Sequence, residues 1–305
     1  MRFAVLAAGL FALACRTTLP PPATEPFALV LGIAQDGGYP QAGCNRPDCV
    51  DAWRDPALRR RVASLAVVDP VSRERWIIDA TPDFPSQLRT LDEIAPGEMP
   101  RIFLTHAHIG HYAGLMHLGR EVMGTAGVEV YAMARMREFL EQNGPWSQLV
   151  RLRNIDLKTL EEKHPIVFPR ITVMAIAVPH RDELSETVAF LISGPSQKIL
   201  WLPDIDKWEK WTTPIEWMIA RVDVAYIDAT FYDERELPGR NLSEIPHPTI
   251  TETMLRLAPL PATERAKVRF IHFNQSNPAL RDSGIMREIR SRGFNLAAEG
   301  EKTPL

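Results

Sequence analysis

An apolar run that ends in a cluster of histidines constrains this chain more than any other feature: Arg101-Ile-Phe-Leu-Thr-His106-Ala-His108-Ile-Gly110-His111. The chain has eight histidines, and three of them fall here. Histidines two apart at a strand end can point into one loop-rimmed cavity, and a third on the first helical turn can face them. Neutral imidazole is a good metal donor at physiological pH, so the pattern predicts a metal site, with zinc the first expectation. The plain alternative, unrelated polar residues at a strand exit, leaves the clustering unexplained.

The rest of the chain predicts what surrounds that site. Strand-like runs fall at Phe27–Ala34, Val62–Asp69, Arg75–Ala80, Arg101–Ala107 and Val128–Ala132, and again at Ile171–Val178, Val188–Ser193, Lys198–Leu202, Val222–Ile227 and Val268–Phe273. Helical patterns separate them near Phe84–Ile94, Met133–Gln142, Thr249–Leu257 and Arg281–Ser291. Two β-rich halves with interspersed helices predict an α/β (α+β) fold in which two mixed sheets form a sandwich covered by helices. At 305 residues, 45% hydrophobic and 24% charged, the chain can bury one large core. Its 35 basic and 38 acidic residues give a net charge of −3. Without a basic excess, nucleic acid is not an expected partner, and a small-molecule substrate is. Nothing in the sequence sets an oligomeric state.

Met1-Arg2-Phe3 and the apolar run to Ala14 have the layout of an export signal, too short to anchor in a bilayer. Residues 1–15 therefore read as a signal peptide, 16–26 as a proline-rich tether and 27–305 as the folded domain. Ala12-Leu13-Ala14-Cys15 resembles a bacterial lipobox, which makes Cys15 a lipidation candidate and a lipid anchor the one expected membrane contact. The expected location is the periplasm or a membrane face.

The histidine motif resembles the His-x-His-x-Asp-His signature of the metallo-β-lactamase superfamily, and further matches follow in that family's order. The resemblance implies an αββα sandwich and a first metal held by His106, His108 and His180, the last ending Ile-Ala-Val-Pro-His180. It implies a second metal on His111 and His272, and Asp204, after Leu-Trp-Leu-Pro, as a residue that contacts or bridges metals and takes part in catalysis. Asp36-Gly-Gly-Tyr-Pro-Gln41, Cys44 and Cys49, Val178-Pro-His-Arg-Asp-Glu-Leu-Ser-Glu-Thr-Val188 and Asn274-Gln-Ser-Asn-Pro278 are similar to the pyrroloquinoline quinone biosynthesis protein B family. That likeness implies a relative of the group rather than membership of its pathway, because the family's own motif tends to lack the first histidine pair.

The signature's aspartate is replaced here by Gly110. With no side chain there, the second site is left with His111, His272 and Asp204, and one zinc ion is expected rather than two. Three imidazoles on zinc can lower the pKa of a bound water to about 7, so hydrolysis of a small ester, amide or phosphodiester is the leading expectation. A catalytically weak ligand-binding relative is the alternative. Iron-dependent oxygen chemistry on the same donors is a third reading.

Val222-Asp-Val-Ala-Tyr-Ile-Asp228 and Ile245-Pro-His247-Pro-Thr249 resemble the acidic strand end and His-x-Thr motif of the superfamily's tRNA-processing and phosphodiesterase branches. This implies a catalytic His247, with Asp228 either orienting it or simply a buried hydrogen-bonded acid. Related families carry a three-cysteine zinc knuckle where this chain keeps Cys44 and Cys49, with Arg46 in the middle position. In an oxidising compartment the two thiols can close a disulfide; free or partner-bound thiols are the alternative. His117 and His164 read as packed or solvated, and the tryptophan-rich run 201–217 either packs a helix on the sheet or walls a groove.

Overall fold

The computed structural model describes residues 24–241 and 244–305. The signal reading of 1–15, with Cys15, and most of the tether lie outside them. The strands are β1 (Phe27–Gly32), β2 (Ser64–Asp69), β3 (Glu74–Ile78), β4 (Arg101–Phe103), β5 (Val128–Ala132), β6 (Ile155–Thr159) and β7 (Ile166–Val167). They continue as β8 (Thr172–Ala177), β9 (Val188–Ser193), β10 (Lys198–Leu202), β11 (Val224–Asp228), β12 (Val268–Ile271), β13 (Asn295–Leu296) and β14 (Lys302–Pro304). Two seven-stranded mixed sheets result, ordered β14-β1-β2-β3-β4-β5-β6 and β13-β12-β11-β10-β9-β8-β7. This is the expected αββα sandwich.

Strand alternation explains why both faces of the first sheet are apolar. In β1, Ala28 and Val30 join the core between the sheets, whereas Phe27, Leu29 and Leu31 join a second core on the outer face. Trp76 and Ile78 of β3 face inward and Ile77 outward in the same way. Helices 84–94, 134–142 and 146–151 cover the outer face through Phe84, Leu91, Met136, Leu140 and Leu149. On the other side, Met218, Ile250, Met254, Leu257 and Ile289 bring their helices onto the second sheet.

The sequence reading placed the long strands well and missed β6, β7, β13 and β14. Three of these four have only two or three residues, too few to show a period, and all four are the edge strands of their sheets. The expected strand Arg101–Ala107 ends at Phe103. Beyond it the Leu104 N–H still donates to Tyr131 O, but the Thr105 carbonyl accepts from Val188 N–H of the opposite sheet. The histidine segment thus leaves its own ladder and crosses the gap between the sheets.

Candidate metal centre

Strand direction assembles the site. In the first sheet β1 and β3 are both antiparallel to β2, and β3 runs parallel to β4, so all three end at one edge. In the second, β8 and β10 are antiparallel to β9, and β10 is parallel to β11 and β11 to β12. The chain at or just past these ends carries Asp36, Asp79, His106, His108, His180, Asp204, Asp228 and His272, as is general for open α/β sheets. A parallel bridge from Ala34 to both Val62 and Phe273 joins the two sheets at this edge.

His106, His108 and His180 bring one donor atom each to within 4.8 Å of the others. Donors about 2.0–2.1 Å from a zinc ion must lie this close together. Thr105 Oγ1, 2.9 Å from His106 Nδ1, occupies the far side of that ring and leaves Nε2 for the site. Burial depresses His106 well below its ordinary pKa, with positive neighbours adding to the effect, and pushes His180 down to about 4. Burial, helped by the Arg181 cation, lowers His108 too. All three imidazoles are therefore held neutral, the form a cation needs.

A second cluster corrects the expectation of a donor-poor site. Besides His111 and His272 it contains Asp36, again with donor atoms within 4.8 Å of one another. Asp36 Oδ1 lies 3.2 Å from His111 Nε2 and 3.9 Å from His272 Nε2. In the sequence Asp36 stands out only as part of a family string; its signal is its position, an acid just past a strand end like Asp204. A second missed residue, Asp79, ends β3 by the same rule. Its carboxylate lies 2.7 Å from His111 Nδ1 and accepts from Thr105 N–H and Oγ1–H, which fixes both the ring and the strand exit. Asp79 and His272 both sit at φ 67°, a left-handed conformation that is strained for a side-chain-bearing residue and recurs where a site demands it.

Asp204 lies between the clusters. Its Oδ2 is 3.0 Å from His111 Nε2 and 3.1 Å from His272 Nε2, and its Oδ1 is 3.5 Å from His180 Nε2. Burial opposes its charge, but His272, His111 and His180 outweigh that and keep it well below the carboxylate range. Despite these short separations, Asp36 Oδ1, His108 Nε2, His111 Nε2, both His180 nitrogens, Asp204 Oδ2 and His272 Nε2 are buried without an aligned hydrogen bond among the described residues. Leaving that many polar atoms unmatched is costly, and a cation matched to nitrogen and carboxylate donors removes the cost. The donor set fits zinc.

His247 stands at the edge of this group, its Nδ1 3.6 Å from Asp204 Oδ1 and 2.7 Å from Asp228 Oδ2. Burial would depress it, yet Asp228, followed by Asp204 and Asp36, raises it above its ordinary pKa. Thr230 Oγ1 donates to Asp228 and lies 3.0 Å from His272 Nδ1, so one hydroxyl ties the two histidine supports together.

The other singled-out residues lie away from the centre. Cys44 and Cys49 are joined by a disulfide. His117 stacks on Phe84 and His164 is exposed. Of the tryptophans, Trp201, Trp208 and Trp211 are buried in the core, Trp211 donating to Ala177 O, and exposed Trp217 lies under Arg221.

A family model described as the beta-lactamase superfamily domain matches residues 74–273. A coenzyme PQQ synthesis protein B from Xanthomonas oryzae pv. oryzae is 26% identical over 301 residues, covering 89% of this chain and 97% of that one. Among solved structures, Zn(2+)-bound PqqB from Methylobacterium extorquens superposes with a TM-score of 0.76 at 21% identity, covering 92% of this chain and 100% of the other. A diphosphatase from the PhnP family gives 0.68 at 21% identity, covering 92% and 97%.

Proposed function

Because this chain belongs to the beta-lactamase superfamily, we propose that it is a metal-dependent hydrolase of small phosphodiesters. The observation that carries this reading is the placement of His247, a buried imidazole 2.7 Å from Asp228 Oδ2, which raises its pKa against the effect of burial, and 3.6 Å from the same Asp204 that the donor histidines surround. A phosphodiester is anionic before reaction and gains charge on its leaving oxygen, so an imidazole whose protonated form is favoured by neighbouring carboxylates suits it better than a neutral ester or amide.

His106, His108 and His180 would hold the ion, with Asp204 beside them. A zinc ion bound there would supply a water of pKa about 7 and a Lewis acid for the substrate oxygen. Asp79 and Thr105 hold the ring planes of His111 and His106, so the donors need not reorganise. Asp228 lies 2.7 Å from His247 Nδ1 and would accept its proton, which leaves Nε2–H as the proton His247 would give to a leaving oxygen.

The purified chain is expected to hydrolyse bis(p-nitrophenyl) phosphate and to lose that activity on chelation. His247→Ala should lower kcat by about 10²–10⁴-fold. Turnover confined to thioesters or lactams, or indifferent to chelators, would sink the reading. A second reading is iron-dependent oxidation, since histidines with a carboxylate and open positions also suit Fe(II). Iron instead of zinc in the purified protein, with oxygen uptake, would favour it.

We also propose that the chain is exported, with Cys15 lipidated. The layout of residues 1–15 supports this, as does the Cys44–Cys49 disulfide, a bond that persists in oxidising compartments. Fractionation with palmitate labelling tests it. Labelled chain in the membrane fraction, with the label lost in Cys15→Ala, is expected, and full-length unlabelled chain in the cytoplasm would contradict it.

A further inference from the structure

We infer that Asp36 is the carboxylate ligand of the second metal pocket, taking the place of the side chain that Gly110 lacks, so that the centre holds two ions. The inference rests on reading the cluster as a metal centre, and goes beyond it in assigning a ligand from a different loop.

Three independent features point to Asp36. The first is the space at Gly110. A Cβ there would lie 2.4 Å from Asp36 Oδ1, 2.5 Å from Asp36 Cα and 2.8 Å from Asp36 Cβ. Carbon atoms do not approach that closely, so a side chain at 110 and the present position of Asp36 exclude each other. Gly110 is thus no mere loss: it opens the volume that Asp36 fills.

The second is how Asp36 is held. Gln35 N–H donates to Phe273 O, and Phe273 N–H donates to Ile33 O. The residues flanking Asp36 and His272 are therefore paired as a short parallel ladder, which sets the carboxylate and the imidazole side by side. Gly38 N–H donates back to Gln35 O and closes the turn on its far side, and the Asn274 side chain donates to that of Gln35. The donor's position is fixed by backbone, not by a flexible side chain reaching across solvent.

The third is the state of its oxygens. Oδ1 is buried without an aligned hydrogen bond and faces His111 Nε2 and His272 Nε2, which are likewise unmatched. The side chain as a whole remains 32% exposed. One oxygen is thus directed at the pocket while the group keeps contact with solvent. Asp36, His111, His272 and Asp204 make a set of two imidazoles and two carboxylates, a complete coordination set for zinc.

The test is zinc alone, titrated into metal-free full-length chain, with bound zinc counted by mass spectrometry and affinities taken by chelator competition. Wild type is expected to hold two ions. Asp36→Asn, which keeps the shape, and Asp36→Ala should each keep one ion at wild-type affinity. The other should weaken at least about tenfold, the low end of the loss seen when even a group outside the coordination sphere is removed. Gly110→Ala should weaken the same ion by displacing Asp36. Unfolding curves of the metal-free forms show whether each variant is folded, and the near-isosteric Asn variant guards against a folding defect in the others. Two ions held unchanged by the Asp36 variants, or a single ion in wild type, would overturn the inference while leaving the metal centre standing. No zinc bound by wild type would instead overturn the metal centre itself.

Discussion

Asp79 shows what single residues do in this protein. It has no room for a substrate, being fully buried, and it holds a left-handed backbone at φ 67° in order to place one carboxylate against His111 Nδ1 and the N–H of Thr105. A ring held this way presents Nε2 without searching for its orientation, and the carboxylate strengthens it as a donor. Asp79→Asn keeps the size and gives up the charge. Its zinc affinity should fall about 10–100-fold, read by chelator competition. Unchanged affinity would show that the contact only fills space. Gly114 illustrates the opposite constraint, since a Cβ there would sit 2.2 Å from Thr81 O, so the chain after His111 can approach the end of β3 only as glycine.

Elements divide the work between scaffold and site. The sheets supply parallel strand ends, and short loops after them supply the donors; helices cover the outer faces. Helix 250–257 also reaches the site. Its cap is Thr249, whose Oγ1 accepts from Glu252 N–H at 3.1 Å while the Glu252 carboxylate accepts from Thr249 N–H at 2.7 Å. The threonine of the His247-Pro-Thr249 motif is thus a helix start rather than a reacting group, and it fixes where the loop carrying His247 ends. Thr249→Ala should cost about 1 kcal/mol of stability, visible as a lower denaturation midpoint. A midpoint equal to wild type would mean that the helix needs no cap. Glu252 also receives the Lys207 ammonium at 2.7 Å, which ties this helix to the segment after Asp204.

At the scale of the molecule, the centre lies where the two sheets meet, and its residues come from both. Local pattern alone determined a good deal of this: the long strands, the helices at 84–94 and 250–257, and His106, His108 and His111 follow from hydrophobic period and from donors at a strand exit, information held within about ten residues. Likeness of motifs added His180, Asp204, Asp228, His247 and His272; in the structure His180, His247 and His272 lie around Asp204, with Asp228 behind His247. Gly110 was legible as a missing ligand, but not as a space already taken. What lies against a glycine depends on strand order and on the bridge from Ala34 to Phe273, which bring together segments far apart in the chain. The same holds for Asp79 behind His111. Sequence fixes which residues can donate; only the packing of two sheets decides which donors share a point, because that is a distance across the fold and not along the chain.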